Sequence, residues 1–344
     1  MPRPRSALRL ADVAERAGVS LATASRALAG RDGVSEQVAD HVRQVSRELG
    51  YVANLHARTL AGGPTSTVGL IVHQIDDPYF SEIASGVIRT ASQQDLMVQI
   101  CHSGRDPQQE LRQIRNLVAQ RVGVIIVAGS GYVDPGLEAE SRAELSAFQE
   151  AGGRVAVIGR HFLRADAVLP DNEAAGRSIA EHVLSLGHRG IAVVAGPNRL
   201  TTVADRLAGV ASALERNGLS LAVLPVVQTD FTRDGGRSAT EQILHEHPQT
   251  TAIIALNDAM AIGVLSTLRS HGVSVPDQVS VAGFDDVSVA ADLAPSLTTV
   301  RLPMAEMGQL ALTMALKPRS SRSRRKSTGH ELIVRDSTGP VPSA

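Results

Sequence analysis

Between positions 77 and 285 lie residues of the kinds that recognise a hydroxylated small molecule: Asp77, Tyr79, Phe80, Arg160, Asp171, Arg206, Asn257 and Asp285. Carboxylates accept from hydroxyl groups, a guanidinium donates in a planar fork, and an aromatic face covers a pyranose or a base. Each of these residues follows the end of a strand or helix read from the sequence, and ligands of doubly wound sheets bind beyond the carboxyl ends of the strands. Asp258 and Asp286 sit beside two of them and read equally well as helix caps. A second set has different chemistry. Ser20, Leu21, Ala22, Ser25 and Arg26, with Thr23 among them, fall on one outward face of a short helix, and Arg9 precedes it, a pattern suited to the major groove of DNA. An enzyme is the competing reading. Yet neighbours such as Asp285 and Asp286 point in different directions, and the chain holds no G-x-S-x-G, H-E-x-x-H or G-x-x-x-x-G-K-[ST] motif. His73, His102 and His161 lie near strand ends and read as hydrogen-bonding residues rather than as a metal site, so neither metal nor cofactor is expected. His188, in LGHRG, reads as a charged residue complementing a helix dipole.

The elements that position these residues follow from periodicity. In LADVAERAG the apolar Leu10, Val13, Ala14 and Ala17 recur at helical spacing, and Gly18-Val19 interrupts them. Ser20 then caps a second helix in which Ala24, Ala27 and Leu28 face inward. Val34-Ser35 opens a third, whose Val38, Val42, Val45 and Leu49 make one stripe that covers the other two. The result is a helix-turn-helix unit of about fifty residues. ANLHARTLAGG follows, too short for a helix stable on its own, and Gly62-Gly63-Pro64 ends it, so it reads as a linker. From Val68 onward, apolar runs (VGLIVH, MVQIC, VGVIIVA, RVAVIG, IAVVAG, LAVLPVV, TAIIAL, VSVAGF) alternate with amphipathic stretches such as 79–94 and 107–120. Runs buried on both faces and separated by helices mean parallel sheet, and their number exceeds one comfortable sheet. The division is placed near 161–166. LKPRSSRSRRKSTGH reads most simply as a solvated loop before a last strand, ELIVRD, with a second nucleic-acid contact as the lesser reading, and no leucine heptad follows.

Composition agrees with a split molecule. At 344 residues the chain exceeds one core of ordinary size, and 34 Lys plus Arg nearly balance 35 Asp plus Glu. Residues 1–62 hold nine Arg against six acidic residues, net +3, while the remainder is net −4, a basic head on an acidic body. A single cysteine, Cys101, excludes an internal disulfide framework. No signal-peptide run and no apolar stretch of bilayer length is present, so the expected location is the cytoplasm, without membrane contact. Aromatics are 2%, so the core is built from Ala, Val, Leu and Ile.

The order DVAERAGVS, ATASRAL, GVSEQVADHVRQVSRELGYVAN, then DNEAAGRSIAEHVLSLGHRGIAVVAGP, ADRLAGV, ALNDAMAIGVL, VSVAGFDD and PSLTTVRLP resembles the lactose-repressor and galactose-repressor family over about residues 10–337. The resemblance implies an N-terminal all-α helix-turn-helix domain followed by an α/β core of two doubly wound parallel-sheet subdomains, like periplasmic binding proteins. The domains would be 1–52, a hinge at 53–64, and a core at 65–344, with one subdomain at about 65–163 and 301–328 and the other at about 164–298 and 329–338. It implies a homodimeric transcription regulator, most often a repressor, that binds operator DNA and a sugar-like effector. A solute-binding protein without regulatory role, or a purine-type corepressor-dependent regulator, are the alternatives. It further implies DNA contacts from Asn54 and Arg58, and a wedge by Leu60 into the minor groove. The effector contacts it matches are Asp77 to Phe80, Arg160, Asp171, Arg206, Asn257 and Asp285. The family commonly has Asn-Pro-Phe-Phe where this chain has Asp-Pro-Tyr-Phe. The added acceptor-only carboxylate and phenol favour a neutral hydroxylated ligand.

Overall fold

A computed structural model of the chain describes residues 8–29, 32–51, 67–320 and 322–342. The chain divides into two units, Met1–Thr65 and Ser66–Ala344. Asn54, Arg58, Leu60 and the hinge at 53–64 lie outside the described residues.

The first unit is built from α1 (Leu10–Arg16), α2 (Leu21–Ala29) and α3 (Glu36–Leu49). Val13, Ala14, Ala24, Ala27, Ala39, Val42 and Val45 form its small core, with Leu10, Leu28, Val38 and Leu49 against it. Small Ala side chains let the helices approach closely. Gly18 makes the turn after α1 with φ +64°, the left-handed region that a Cβ disfavours, and the Val19 N–H closes it on the Ala14 carbonyl at 3.0 Å. Ser35 stands at the start of α3 as expected, but its hydroxyl makes no capping bond.

The second unit holds two parallel sheets. β1 (Thr67–Val72), β2 (Met97–His102), β3 (Val124–Ala128), β4 (Arg154–Ile158), β5 (Asp166–Pro170) and β11 (Arg325–Thr328) make a six-stranded sheet in the order β11-β5-β4-β3-β1-β2, parallel throughout. Alternate residues face two cores, as a period of two requires. Leu70, Val72 and Ile126 meet Ile83 and Val87 of α4 (Pro78–Ser92), together with Met307 and Leu312 of α11 (Met304–Leu316). Ile71, Ile125, Val127 and Val157 meet Ile114 and Leu117 of α5 (Pro107–Ala119) and Leu145 of α6 (Ala139–Glu150).

The smaller sheet has the order β7-β6-β8-β9, from β6 (Ile191–Ala195), β7 (Val226–Gln228), β8 (Ala252–Ala255) and β9 (Ser280–Ala282). It carries α7 (Asn172–Ser185), α8 (Thr201–Arg216), α9 (Arg233–Glu246) and α10 (Asp258–Ser270). Reciprocal glycines bring helix pairs together. Gly176 of α7 abuts the Arg206 carbonyl of α8, and Gly209 of α8 abuts the Glu173 carbonyl of α7. β10 (Thr299–Arg301) pairs antiparallel with β12 (Glu331–Ile333).

Three expectations are corrected. The division near 161–166 falls one strand early, since Asp166–Pro170 pairs with β4 in the larger sheet. A helix-free link of seven residues between parallel neighbours is unusual and reads as a domain crossing. The charged run 316–330 is not loop throughout, because Arg325–Thr328 forms an edge strand on β5. Its charge is a common way to blunt a sheet edge, and that charge also hides it from a hydrophobicity pattern. Finally, His188 is fully buried, bonded to Thr251 and the Gly339 carbonyl, with its pKa lowered by burial. It packs as a neutral ring and complements no dipole. No helix among the described residues is long and apolar enough to cross a membrane.

Candidate functional site

On α2 the buried side chains are Ala24 and Ala27, and Ser20, Leu21, Ala22, Ser25 and Arg26 are exposed, with Arg9 also exposed before α1. The Ser20 hydroxyl accepts from the Thr23 N–H at 3.1 Å and lies 2.8 Å from the Thr23 hydroxyl. Those two polar groups therefore serve the helix start. Leu21 is 55% exposed with its isobutyl group uncovered in this unit, an arrangement that suits contact with methyl groups on a base edge.

In the second unit a narrow cavity opens where the carboxyl ends of both sheets meet. The smaller sheet contributes Arg206, Asn257 and Asp285, and the larger contributes Asp77, Tyr79 and Phe80. Asp77 caps α4, accepting from the Tyr79 N–H at 3.0 Å. Pro at the first helical position fixes the chain there, which aims the two rings inward, edge to face at 5.0 Å. Arg206 is almost wholly buried. Its Nη2 donates to Asp285 at 2.7 Å and its Nε to Asn172 at 3.0 Å, while Nη1 donates to the Leu256 carbonyl. Its plane lies 3.7 Å from the Phe284 ring centre, so the guanidinium is pinned on every side.

Burial pushes the Asp285 carboxyl up to about 7 despite Arg206, and raises Asp77 as well. Asp285 adopts φ +113°. Asn257 caps α10, accepting from the Met260 N–H at 2.8 Å, which leaves its amide NH₂ for a ligand. Asp258 is no cap. Fully buried, it accepts from the Thr299 hydroxyl at 2.7 Å and the Val287 N–H at 2.9 Å. Asp286 binds Arg301 and Arg335, each at 2.7 Å, and belongs to the framework.

Two residues of the expected set stand apart from the cavity. Arg160 forms a half-exposed fork on Asp205 at 2.6 Å, and Asp171 lies at the start of α7 beside His330 at 3.5 Å. Asn172, the next residue, is the one that reaches Arg206.

Sequence reasoning missed Arg105, Phe231, Ser130 and Thr202, and it gave His73 no role in the site. All of them line the cavity. Arg105 is 3.7 Å from Asp77 and stacks on Phe231 at 5.2 Å. It also donates to Gln74. It follows β2 as the other site residues follow their strands, and that position was the available signal. His73 faces the Ser130 carbonyl with Nε2 and the Ser103 hydroxyl with Nδ1, each at 3.0 Å. A carbonyl only accepts, so Nε2 carries the proton, and burial lowers the pKa to about 3. His161 meets two acceptors instead, Glu138 at 3.0 Å and the Gly129 carbonyl at 3.1 Å. Burial opposes its charge, but the Glu138 carboxylate outweighs burial and raises its pKa. The two histidines thus grip the turn at 129–130 from either side. From that turn the Ser130 hydroxyl accepts from the Thr202 N–H at 2.9 Å, and the Gly131 carbonyl accepts from the Thr201 N–H at 2.9 Å. These bonds latch the two subdomains directly beside the cavity.

Comparison with known proteins gives a consistent pattern. Residues 9–54 match the family described as bacterial regulatory proteins, lacI family, and residues 180–338 match the periplasmic binding protein-like domain. The HTH-type transcriptional regulator DegA of Bacillus subtilis (strain 168) is 32% identical over 341 residues, covering 96% of this chain and 98% of DegA. The crystal structure of the lac repressor dimer bound to operator and the anti-inducer ONPF is similar with TM-score 0.82 and 26% identity, covering 96% of this chain and 99% of that one. The transcriptional regulator CelR–cellobiose complex is similar with TM-score 0.71 and 29% identity, again over 96% and 99%.

Proposed function

The chain belongs to the lacI family of bacterial regulatory proteins, and from that premise we propose how this regulator is controlled. It is a DNA-binding transcription regulator with a helix-turn-helix head. The effector is a neutral, polyhydroxylated molecule of the sugar class, held in the cavity by Asp77, Tyr79, Phe80, Arg206, Asn257 and Asp285, and by Arg105 and Phe231.

One observation carries this reading. Each cavity guanidinium already faces its own carboxyl group, Arg105 with Asp77 and Arg206 with Asp285, so both cations have partners before any ligand enters. An anionic ligand would have to compete with Asp77 and Asp285 for those cations, whereas hydroxyl groups use the remaining lone pairs and N–H groups without unpairing either charge. The similar CelR structure holds cellobiose, a neutral sugar.

The regulator acts as a homodimer. Ile75, Ile88 and Met97 are 59%, 42% and 57% exposed around α4 and the edge strand β2, a patch that a second copy would cover. It works as a repressor whose operator affinity changes when the effector bridges the two subdomains across the latch at 130 and 201–202. The test is isothermal calorimetry of the full chain against neutral mono- and disaccharides and the corresponding sugar phosphates, followed by DNA retention in gels with the best ligand. Binding of a neutral sugar that alters retention is the expected result. Selective binding of sugar phosphates would overturn the neutral class, and a bound sugar without effect on DNA would overturn its role as effector.

A further inference from the structure

The larger sheet has a second end. Its strands run parallel, so their amino termini share one edge, opposite the cavity, and the chain enters the unit there at Thr67. On that edge an open groove is lined by Arg154, Arg164, Lys317, Arg319, Arg322 and Arg324, with one carboxylate, Asp166. Arg324 occupies that carboxylate with a fork of 2.6 and 3.1 Å. Arg154 and Arg324 also donate to the Leu316 and Met314 carbonyls at the end of α11, and cations there satisfy orphan carbonyl groups. Those two are structural. Arg319 likewise donates to the Gln149 carbonyl at 2.6 Å, so among the groove's cations Arg164, Lys317 and Arg322 are the ones whose side chains bond to no described residue. Arg164, Lys317, Arg319 and Arg322 are exposed and outside every ion pair among the described residues, and the adjoining Arg325 and Lys326 extend the same charge. This concentration sits on residues 63–344, which carry net −4 as a whole. It is a local segregation of charge and not a bulk property.

We propose that this groove binds the phosphate backbone of duplex DNA, giving the core a contact of its own in addition to the head. The cations are spread along a strand edge and a chain turn, with no buried polar group aimed at one point. A small anion would meet one or two of them in water, where each pair contributes little. A polyanion with regular phosphate spacing engages several at once, and the release of its counterions supplies the affinity. The molecule already binds that polyanion, and the groove lies at the end of the larger sheet where β1 begins. Register fixes the distance: Val68 pairs with Val124 and Val124 with Arg154, so the groove begins two strands, about 10 Å, from the entry of β1.

The experiment uses the full chain and a mixed-sequence duplex of about 60 base pairs, with affinity measured by fluorescence anisotropy across a salt series. The variant Arg164→Gln/Lys317→Gln/Arg322→Gln/Lys326→Gln removes four charges whose side chains bond to no described residue. Each phosphate contact contributes a slope of about −0.9 in log affinity against log salt. The variant is expected to lose about 3 to 4 from that slope. Raising salt from about 50 to about 200 mM would then weaken it roughly a hundredfold less than the parent. Arg164→Lys/Arg322→Lys, which keeps the charge and leaves Lys317 and Lys326 in place, should retain the parental slope. Unchanged melting temperature and unchanged sugar affinity would show that the variant is folded, since the cavity lies at the other end of the strands. Parallel slopes for parent and variant would overturn the proposal, including the case in which the groove serves an acidic protein instead. Arg26→Ser on the head should lower the slope in both backgrounds, which separates a failure of this inference from a failure of the head to bind DNA.

Discussion

Replacing Asp285 by Asn tests the cavity most directly. The change is nearly isosteric, and Asn tolerates the left-handed region that φ +113° approaches better than most residues do. It removes the charge partner of Arg206, whose side chain is 3% exposed, and breaking a buried pair commonly costs about 3–5 kcal/mol. Here the loss should be smaller. Arg206 keeps Asn172, the Leu256 carbonyl and the Phe284 ring, and the Asn carbonyl can still accept from Nη2. The effector, by contrast, loses a carboxylate acceptor, which should cost on the order of 2 kcal/mol, about thirtyfold in affinity.

The pH dependence is the sharper signature. Burial holds Asp285 near 7, so the strong acceptor forms only as pH rises through that value, and parental sugar affinity should climb between about pH 6 and 8. The Asn variant should lack that rise. Stability moves the other way. A carboxyl raised above its unfolded value contributes stability below about pH 4 that is lost as pH rises through about 7, so the parent should lose melting temperature relative to the variant over that window. Calorimetry across the range measures the first effect and thermal melting the second. An Asn variant with parental affinity and an unaltered pH profile would refute the assignment of Asp285 to the ligand site.

Ala22→Gln places a donor and acceptor on the exposed face of α2 and should change the preferred bases in a duplex selection without abolishing binding. Retained preference would remove α2 as the reading helix. Ile88→Asp should dissociate the proposed dimer, read as halved mass in sedimentation equilibrium, with little change in the melting of the core. Gly176→Ala drives a methyl into the Arg206 carbonyl and should cost about 1–3 kcal/mol, seen as a lower melting temperature together with weakened sugar binding. Gly218→Ala, which meets no neighbour but has φ +73°, is the control: it should lower the melting temperature and leave sugar affinity unchanged.

The apolar patterns were legible because the central strands β1, β3 and β4 are buried on both faces and so stand out as short, unbroken runs. Leu70 and Ile71 face different cores, yet both read as apolar. Two strands lacked that signal. β5 carries Asp166 at its start and follows a link without a helix, and β11 is Arg-Lys-Ser-Thr, an edge strand whose charges disguise it. Both are recovered only through their partners, since Arg324 and Asp166 fasten the start of β11 to the start of β5. A register set by a side-chain fork between residues 158 apart leaves no local trace.

The site was legible for a related reason and to a similar depth. Asp77, Asn257 and Asp285 announce themselves because each ends a strand and the first two begin a helix, so local chemistry and position coincide. Arg160 and Asp171 share that position and lie outside the cavity, so the rule of strand ends selects the right rim without deciding which side chain turns inward. That decision is made by packing across the cleft. Phe231 from the smaller sheet gives Arg105 of the larger a face to stack on, and Asn172 gives Arg206 an acceptor. Each contact joins elements far apart in sequence, and the stacking crosses from one subdomain to the other. A cavity assembled this way depends on how the subdomains meet, because opening the latch would separate Arg105 from Phe231 and alter the half of the site that contains Asp77. Ligand affinity and subdomain geometry are thereby linked through the same few side chains, and a ligand that binds the latched arrangement more tightly must favour it in proportion to that difference.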